Sequence, residues 1–160
     1  MFHALVQNFI GPILRRPPRF QAAALCYRRG SAGGCEVLLV TSRETKRWVL
    51  PKGWPKRGLD AAGTAREEAW EEAGMRPLPG TALRVGRYSY MKRLEGGLPV
   101  PVDVAVFAME ADRLEDDFPE KDQRERRWVA PAEAAAMVEE PGLAEILAGF
   151  RPWRRPGTLR

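Results

Sequence analysis

Four glutamates, Glu67, Glu68, Glu71 and Glu72, stand within the nine residues REEAWEEAG from 66 to 74. At about 100° per residue along a helix, Glu68, Glu71 and Glu72 share one face, within roughly 100° of arc. Carboxylates converging in this way offer hard oxygen ligands to a divalent cation such as Mg2+ or Mn2+. The same residues are badly placed for helix stability. Negative charge near a helix C-terminus opposes the macrodipole, and like charges four apart repel by a few tenths of a kcal/mol. An acidic helix face is ordinarily just a solvated surface. The preceding stretch LPKGWPKRG, 50 to 58, tips the balance toward chemistry, because a Gly- and Pro-broken loop brings Lys52, Lys56 and Arg57 up to the carboxylates.

These residues need a framework to hold them. Asp60 is a suitable N-cap for a helix running to Ala73, and Gly74 is suited to the left-handed C-cap position. Ala62, Ala65, Ala69 and Ala73 form a small-residue stripe for close packing on a sheet. FQAAALCYR (20–28) and CEVLLVTS (35–42) read as a hairpin across the turn RGSAGG. A short strand spans 48–50, ended by Pro51. LRVGRYSYMKR (83–93) and LPVPVDVAVFAME (98–110) are strands, with Val102, Val104 and Val106 in period-two alternation. The acidic loop ADRLEDDFPEKD (111–122) follows, then a strand RRWVA, a helix PAEAAAMV with Pro131 in its first turn, and a last helix GLAEILAGF. The sum is an α+β layered domain with a mixed β-sheet between helices.

The chain has 160 residues, 44% of them hydrophobic, which suits one core and one domain. We place that domain at 20–150, after an N-terminal extension (1–19) packed on it and before a basic C-terminal tail (151–160). No apolar run approaches the ~18 residues needed to cross a bilayer. Cys26 and Cys35 lie in apolar strand-like surroundings without a C-x-x-C pair, so they read as reduced and inert, pointing to the cytoplasm. The single histidine, His3, is too isolated for a zinc site. The net charge of +5 suits an anionic partner, and a polyphosphate small molecule would need only a few of these cations.

Residues 53–75, GWPKRGLDAAGTAREEAWEEAGM, resemble the signature of the Nudix hydrolase superfamily, G-x5-E-x7-R-E-U-x-E-E-x-G-U with U aliphatic. Gly53 and Gly74 keep its spacing, Glu68 matches the E of R-E, Glu71 and Glu72 match the E-E pair, and Ala69 and Met75 fill apolar slots. RWVLPKGW before this box and RRWVAPAEAAAMV after it are similar to the branch acting on diphosphoinositol polyphosphates and diadenosine polyphosphates. The resemblance implies a Nudix fold, an α/β/α sandwich with a central mixed sheet. It further implies hydrolysis of a diphosphate linkage with Mg2+ or Mn2+ held by Glu68, Glu71, Glu72 and the backbone of Gly53. For the general base, Glu71, Glu72 and Glu120 of the acidic loop are candidates. Arg28, Arg43, Lys52, Lys56, Arg57 and Lys92 are candidates for substrate phosphates. Tyr88 and Tyr90 face one side of a strand, where they pack in the core or rim or stack on a base.

Two signature positions differ. The first Glu is replaced by Leu59, with Asp60 beside it as a partial substitute, and the Arg is replaced by Glu67. In the resembled family that arginine helps hold the carboxylates in place. Here Glu67 adds a negative charge, so we expect Glu68 and Glu72 to have raised pKa values in the metal-free protein. Other readings are a nucleoside triphosphate or an RNA 5′ end as substrate, and a degenerate domain that binds a nucleotide or polyphosphate without turnover. A basic nucleic-acid-binding module fits worse, since no recognised motif and no aromatic-basic interleaving is present.

Overall fold

The computed structural model describes residues 19–94 and 97–153. Residues 1–18 of the extension, with His3, and 154–160 of the basic tail lie outside these residues, while Arg19 belongs to the first strand. The first strand, β1 (Arg19–Arg29), alternates strictly, with Ala22, Ala24 and Cys26 on one face and Ala23, Leu25 and Tyr27 on the other. It forms the expected hairpin with β2 (Cys35–Thr41), pairing Tyr27 with Val37 and Arg29 with Cys35. β3 (Trp48–Val49) adds to β2, and β4 (Lys52–Gly53) adds to β1 opposite Ala22 and Ala23.

Helix α1 (Ala61–Ala73) has the predicted caps: Asp60 Oδ1 accepts from the Gly63 N–H at 2.7 Å, and Gly74 is left-handed at φ 65°. The strands β5 (Met75–Pro77), β6 (Leu83–Arg93), β7 (Pro99–Leu114) and β8 (Arg126–Val129) follow, then α2 (Pro131–Met137) and α3 (Pro141–Ala148). Together the strands make one eight-stranded mixed sheet. Its centre is a parallel seam in which β1 runs beside β7 from Arg19↔Val102 to Tyr27↔Glu110, while the other pairings are antiparallel.

The helices sit on opposite faces. The stripe Ala65, Ala69 and Ala73 packs on Ala22, Ala24, Cys26, Leu38 and Val40. On the other face Leu143, Leu147 and Ala134 cover Leu25, Leu39, Val102, Val104 and Val106. The α+β sandwich with a central mixed sheet is therefore what the chain adopts.

Two details depart from expectation, and the two tyrosines follow it. β4 and β5 were not foreseen, being two and three residues long and interrupted or flanked by proline. β7 continues through 111–114, assigned above to the acidic loop, because β5 pairs with that extension, Met75 opposite Leu114. Tyr88 is buried in the core and Tyr90 packs against it, its hydroxyl donating to Gln21 at 2.6 Å.

Candidate active site

Helix α1 packs close to the sheet because its contact face is alanine. That closeness brings Glu68 and Glu72, one turn apart on the adjoining face, down to the β4 backbone. A Cβ at Gly53 would fall inside the Glu68 carboxylate, so only glycine allows this approach. The Lys52 N–H donates to Glu72 Oε2 at 3.2 Å. Glu68 and Glu72 are buried, whereas Glu71 is half-exposed.

The carboxylates are charge-balanced from two directions. Lys56 Nζ lies 2.6 Å from Glu71 Oε1 and 3.3 Å from Glu68 Oε1. Arg124 NH2 lies 3.1 Å from Glu72 Oε1 and 3.2 Å from Glu120 Oε1, while its NH1 donates to the Thr41 carbonyl at 2.9 Å. The Arg124 side chain is only 8% exposed.

Burial pushes the Glu68 carboxyl up, opposed by Lys56 and reinforced by Glu71. Burial likewise pushes Glu72 up to about 8; Arg124 and Lys52 pull it back, while Glu68 and Glu120 add repulsion. The direction agrees with the expectation, but its leading cause is desolvation rather than the charge of Glu67. Burial pulls the Lys52 ammonium down, although Glu72 and Glu140 favour its charge. For Lys56, burial opposes the charge, but hydrogen bonds and attraction from Glu71 and Glu68 prevail and raise its pKa.

The acidic loop closes the C-terminal end of α1. The Glu120 N–H donates to the Glu71 carbonyl at 3.0 Å, and the Glu115 N–H to the Gly74 carbonyl at 2.8 Å. Arg126 NH1 donates to the Ala73 carbonyl and the Glu115 carbonyl, both at 2.8 Å. These donors occupy the orphan carbonyls of the helix end and set a guanidinium against its negative dipole. Glutamates are tolerated there because the rest of the fold delivers cations and N–H groups to them.

The candidate residues therefore divide into two sets. Gly53, Glu68, Glu71, Glu72, Glu120, Lys52 and Lys56 come together, and Lys92 lies within electrostatic reach of Lys52. Arg43 reaches the edge of the group, 3.6 Å from Glu120. Arg57 is exposed. Arg28 is not brought in: it pairs with Glu36 at 3.1 Å and stacks on Trp128, five or more residues along β1 from the Gly53 contact. Asp60 spends its carboxylate on the α1 cap and does not stand in for the glutamate replaced by Leu59, which is 45% exposed. Glu67 is exposed and has no ion pair among the described residues.

Sequence reasoning missed Arg124, Arg126 and the ammonium role of Lys56. The run QRERRW holds three arginines that look alike, and only the path of the chain separates them. Glu68, Glu71 and Glu72 offer carboxylate oxygens of the kind a hard divalent cation takes, and the Lys56 ammonium lies between Glu68 and Glu71. Among the described residues no three acidic side chains close a cage, and Lys56 and Arg124 pair with the carboxylates of α1.

The comparisons agree with this architecture. Nudix hydrolase 4 of Arabidopsis thaliana is 26% identical over 129 residues, covering 78% of this chain, which spans only 60% of that relative's length. A NUDIX hydrolase from Nitrosomonas europaea shares the fold with a TM-score of 0.63 at 18% identity, over 82% of this chain and 87% of that one. A C. elegans Ap4A hydrolase in a binary complex does so with a TM-score of 0.57 at 21% identity, over 82% and 99%. The family model of the NUDIX domain matches residues 19–151. Most of the chain is contained in that match, and the protein belongs to the NUDIX domain family.

Proposed function

We propose that this protein is a pyrophosphohydrolase, hydrolysing a diphosphate linkage in a phosphorylated small molecule, a diphosphoinositol polyphosphate or a dinucleoside polyphosphate. The observation that carries this reading is the buried pair on α1, Glu68 against Gly53 and Glu72 on the Lys52 N–H. The Ap4A hydrolase among the fold relatives supports the dinucleoside branch.

In this reading Glu68, Glu71, Glu72 and the Gly53 carbonyl would hold Mg2+ or Mn2+. When bound, the cation supplies charge that polarises the phosphoryl group and acidifies the attacking water. Lys52 and Lys92 bind the substrate phosphates, with Arg43 and Arg57 at the rim. Water oxygen bonds to phosphorus, the bridging P–O bond breaks, and a carboxylate takes the proton. Glu120 is the first candidate, since it shares Arg124 with Glu72; Glu71 and Glu72 are the others. A cytoplasmic location belongs to the same proposal and is supported by two unpaired cysteines, Cys26 and Cys35.

A second reading is binding without turnover, favoured by Leu59 and Glu67 at signature positions. A substrate panel with Mg2+, comprising diphosphoinositol polyphosphates, diadenosine polyphosphates, nucleoside triphosphates and 5′-triphosphorylated RNA, separates the two. Glu72→Gln and Glu71→Gln should abolish most activity, and Glu120→Gln should lower kcat on the order of 100-fold or more if it is the base. Activity equal to the parent in both helix variants would sink the mechanism; tight binding without hydrolysis would establish the second reading.

A further inference from the structure

The signature position that would carry an arginine carries Glu67 here, exposed and without an ion pair among the described residues. Glu72 is nonetheless restrained at both oxygens: Oε2 by the Lys52 N–H at 3.2 Å, and Oε1 by Arg124 NH2 at 3.1 Å. Arg124 lies 52 residues further along the chain, on the segment leading into β8.

That segment is itself anchored. The Glu125 N–H donates to Thr41 Oγ1 at 2.9 Å, the Thr41 N–H donates to the Glu125 carbonyl at 3.1 Å, and Arg124 NH1 holds the Thr41 carbonyl. A guanidinium buried to this extent needs its charge paired, and its planar fork fixes the direction of what it pairs with. A surface cation would leave Glu72 free to rotate; this one does not.

We propose that Arg124 is the positioning residue of Glu72, performing from the β8 side the carboxylate-orienting role that the resembled signature assigns to position 67. It also brings Glu120 alongside through the same nitrogen. The inference rests on α1 being the cation site, yet it concerns this chain's own means of aiming that site. A direct phosphate-binding role is the competing account of the same arginine. It predicts a different result, since both terminal nitrogens of Arg124 are already engaged within the protein.

The test is Mn2+ binding by the full chain, measured by electron paramagnetic resonance on parent, Arg124→Gln, Arg124→Lys and the double variant Arg124→Gln/Glu67→Arg. Circular dichroism melts confirm folding. Arg124→Gln should weaken Mn2+ binding by about 10–100-fold and lower kcat more than it raises KM. Arg124→Lys keeps the charge without the fork and should fall between. The double variant should regain part of the Mn2+ affinity.

Parental Mn2+ affinity in folded Arg124→Gln, with the loss confined to KM, would overturn the inference in favour of phosphate binding. If Arg124→Gln does not fold, Arg124→Lys decides the question, parental affinity again counting against. No recovery in the double variant would overturn the equivalence of the two positions. A parent that binds no Mn2+ overturns both this inference and the site itself. A parent that binds Mn2+ but cleaves no diphosphate removes only the proposed activity.

Discussion

The two faces of the sheet solve opposite problems with the same strands. Beneath α2 and α3, Leu143 and Leu147 fill an apolar layer with Leu25, Leu39, Val102, Val104 and Val106. Beneath α1 the helix contributes only alanines, Ala65, Ala69 and Ala73, to Ala22, Ala24, Cys26, Leu38 and Val40, and Glu68 and Glu72 are buried on the adjoining face. One face maximises apolar area; the other gives up area so that a backbone can come near enough for short carboxylates to reach a loop. On the proposed function, stability and chemistry come from different faces of the sheet, and substitutions on each face separate the two.

The largest effect belongs to the apolar face. Leu147→Ala should cost about 2–5 kcal/mol in urea unfolding, through lost transfer energy and the cavity left behind, with little change in Mn2+ affinity. A matching collapse of Mn2+ binding would show that the two faces are not separable.

The α1 face should reveal itself through pH. Folded Glu72 keeps its proton up to about 8, whereas the unfolded chain releases it near the ordinary value of 4.5. Between those values the folded state binds more protons, so stability is present at low pH and is withdrawn as pH rises, with a limiting slope of about 1.4 kcal/mol per unit. Urea melts in EDTA at several pH values should show this slope in the parent and a shallower one in Glu72→Gln. Parallel curves would mean that Glu72 is not the titrating group.

The smallest effect concerns the N-terminal end of α1. Asp60→Ala removes the hydrogen bond to the Gly63 N–H and should cost about 1 kcal/mol while leaving kcat unchanged, because Asp60 serves the helix alone. A drop in kcat with unaltered melting would return Asp60 to the catalytic group.

What the sequence disclosed was whatever is local. The caps at Asp60 and Gly74, the alanine stripe and the hairpin before them follow from neighbours a few positions apart. β5 escaped notice because Met75–Pro77 starts directly after the C-cap and contains proline. The end of β7 escaped because its sequence, ADRL, is polar and owes its pairing to β5. In the site, the carboxylates were legible from helical spacing, but their counter-ions were not. Lys56 reaches Glu71 across a loop, and Arg124 and Arg126 reach α1 from beyond β7, so no periodicity records them. Arg28 was misplaced for the converse reason: charge is visible in a sequence, but distance along a strand from the site is not.

The parallel seam between β1 and β7 has a kinetic consequence. Its partners, Arg19 with Val102 through Tyr27 with Glu110, are about 80 residues apart, so joining them closes a long loop before any contact repays the entropy. The β1–β2 hairpin and α1 can form early, but Arg124 reaches Glu72 only after the chain has passed through that seam. If α1 carries the proposed cation site, that site is a late product of folding, and a cation bound there would act chiefly by slowing unfolding, with the folding rate close to that of the metal-free chain.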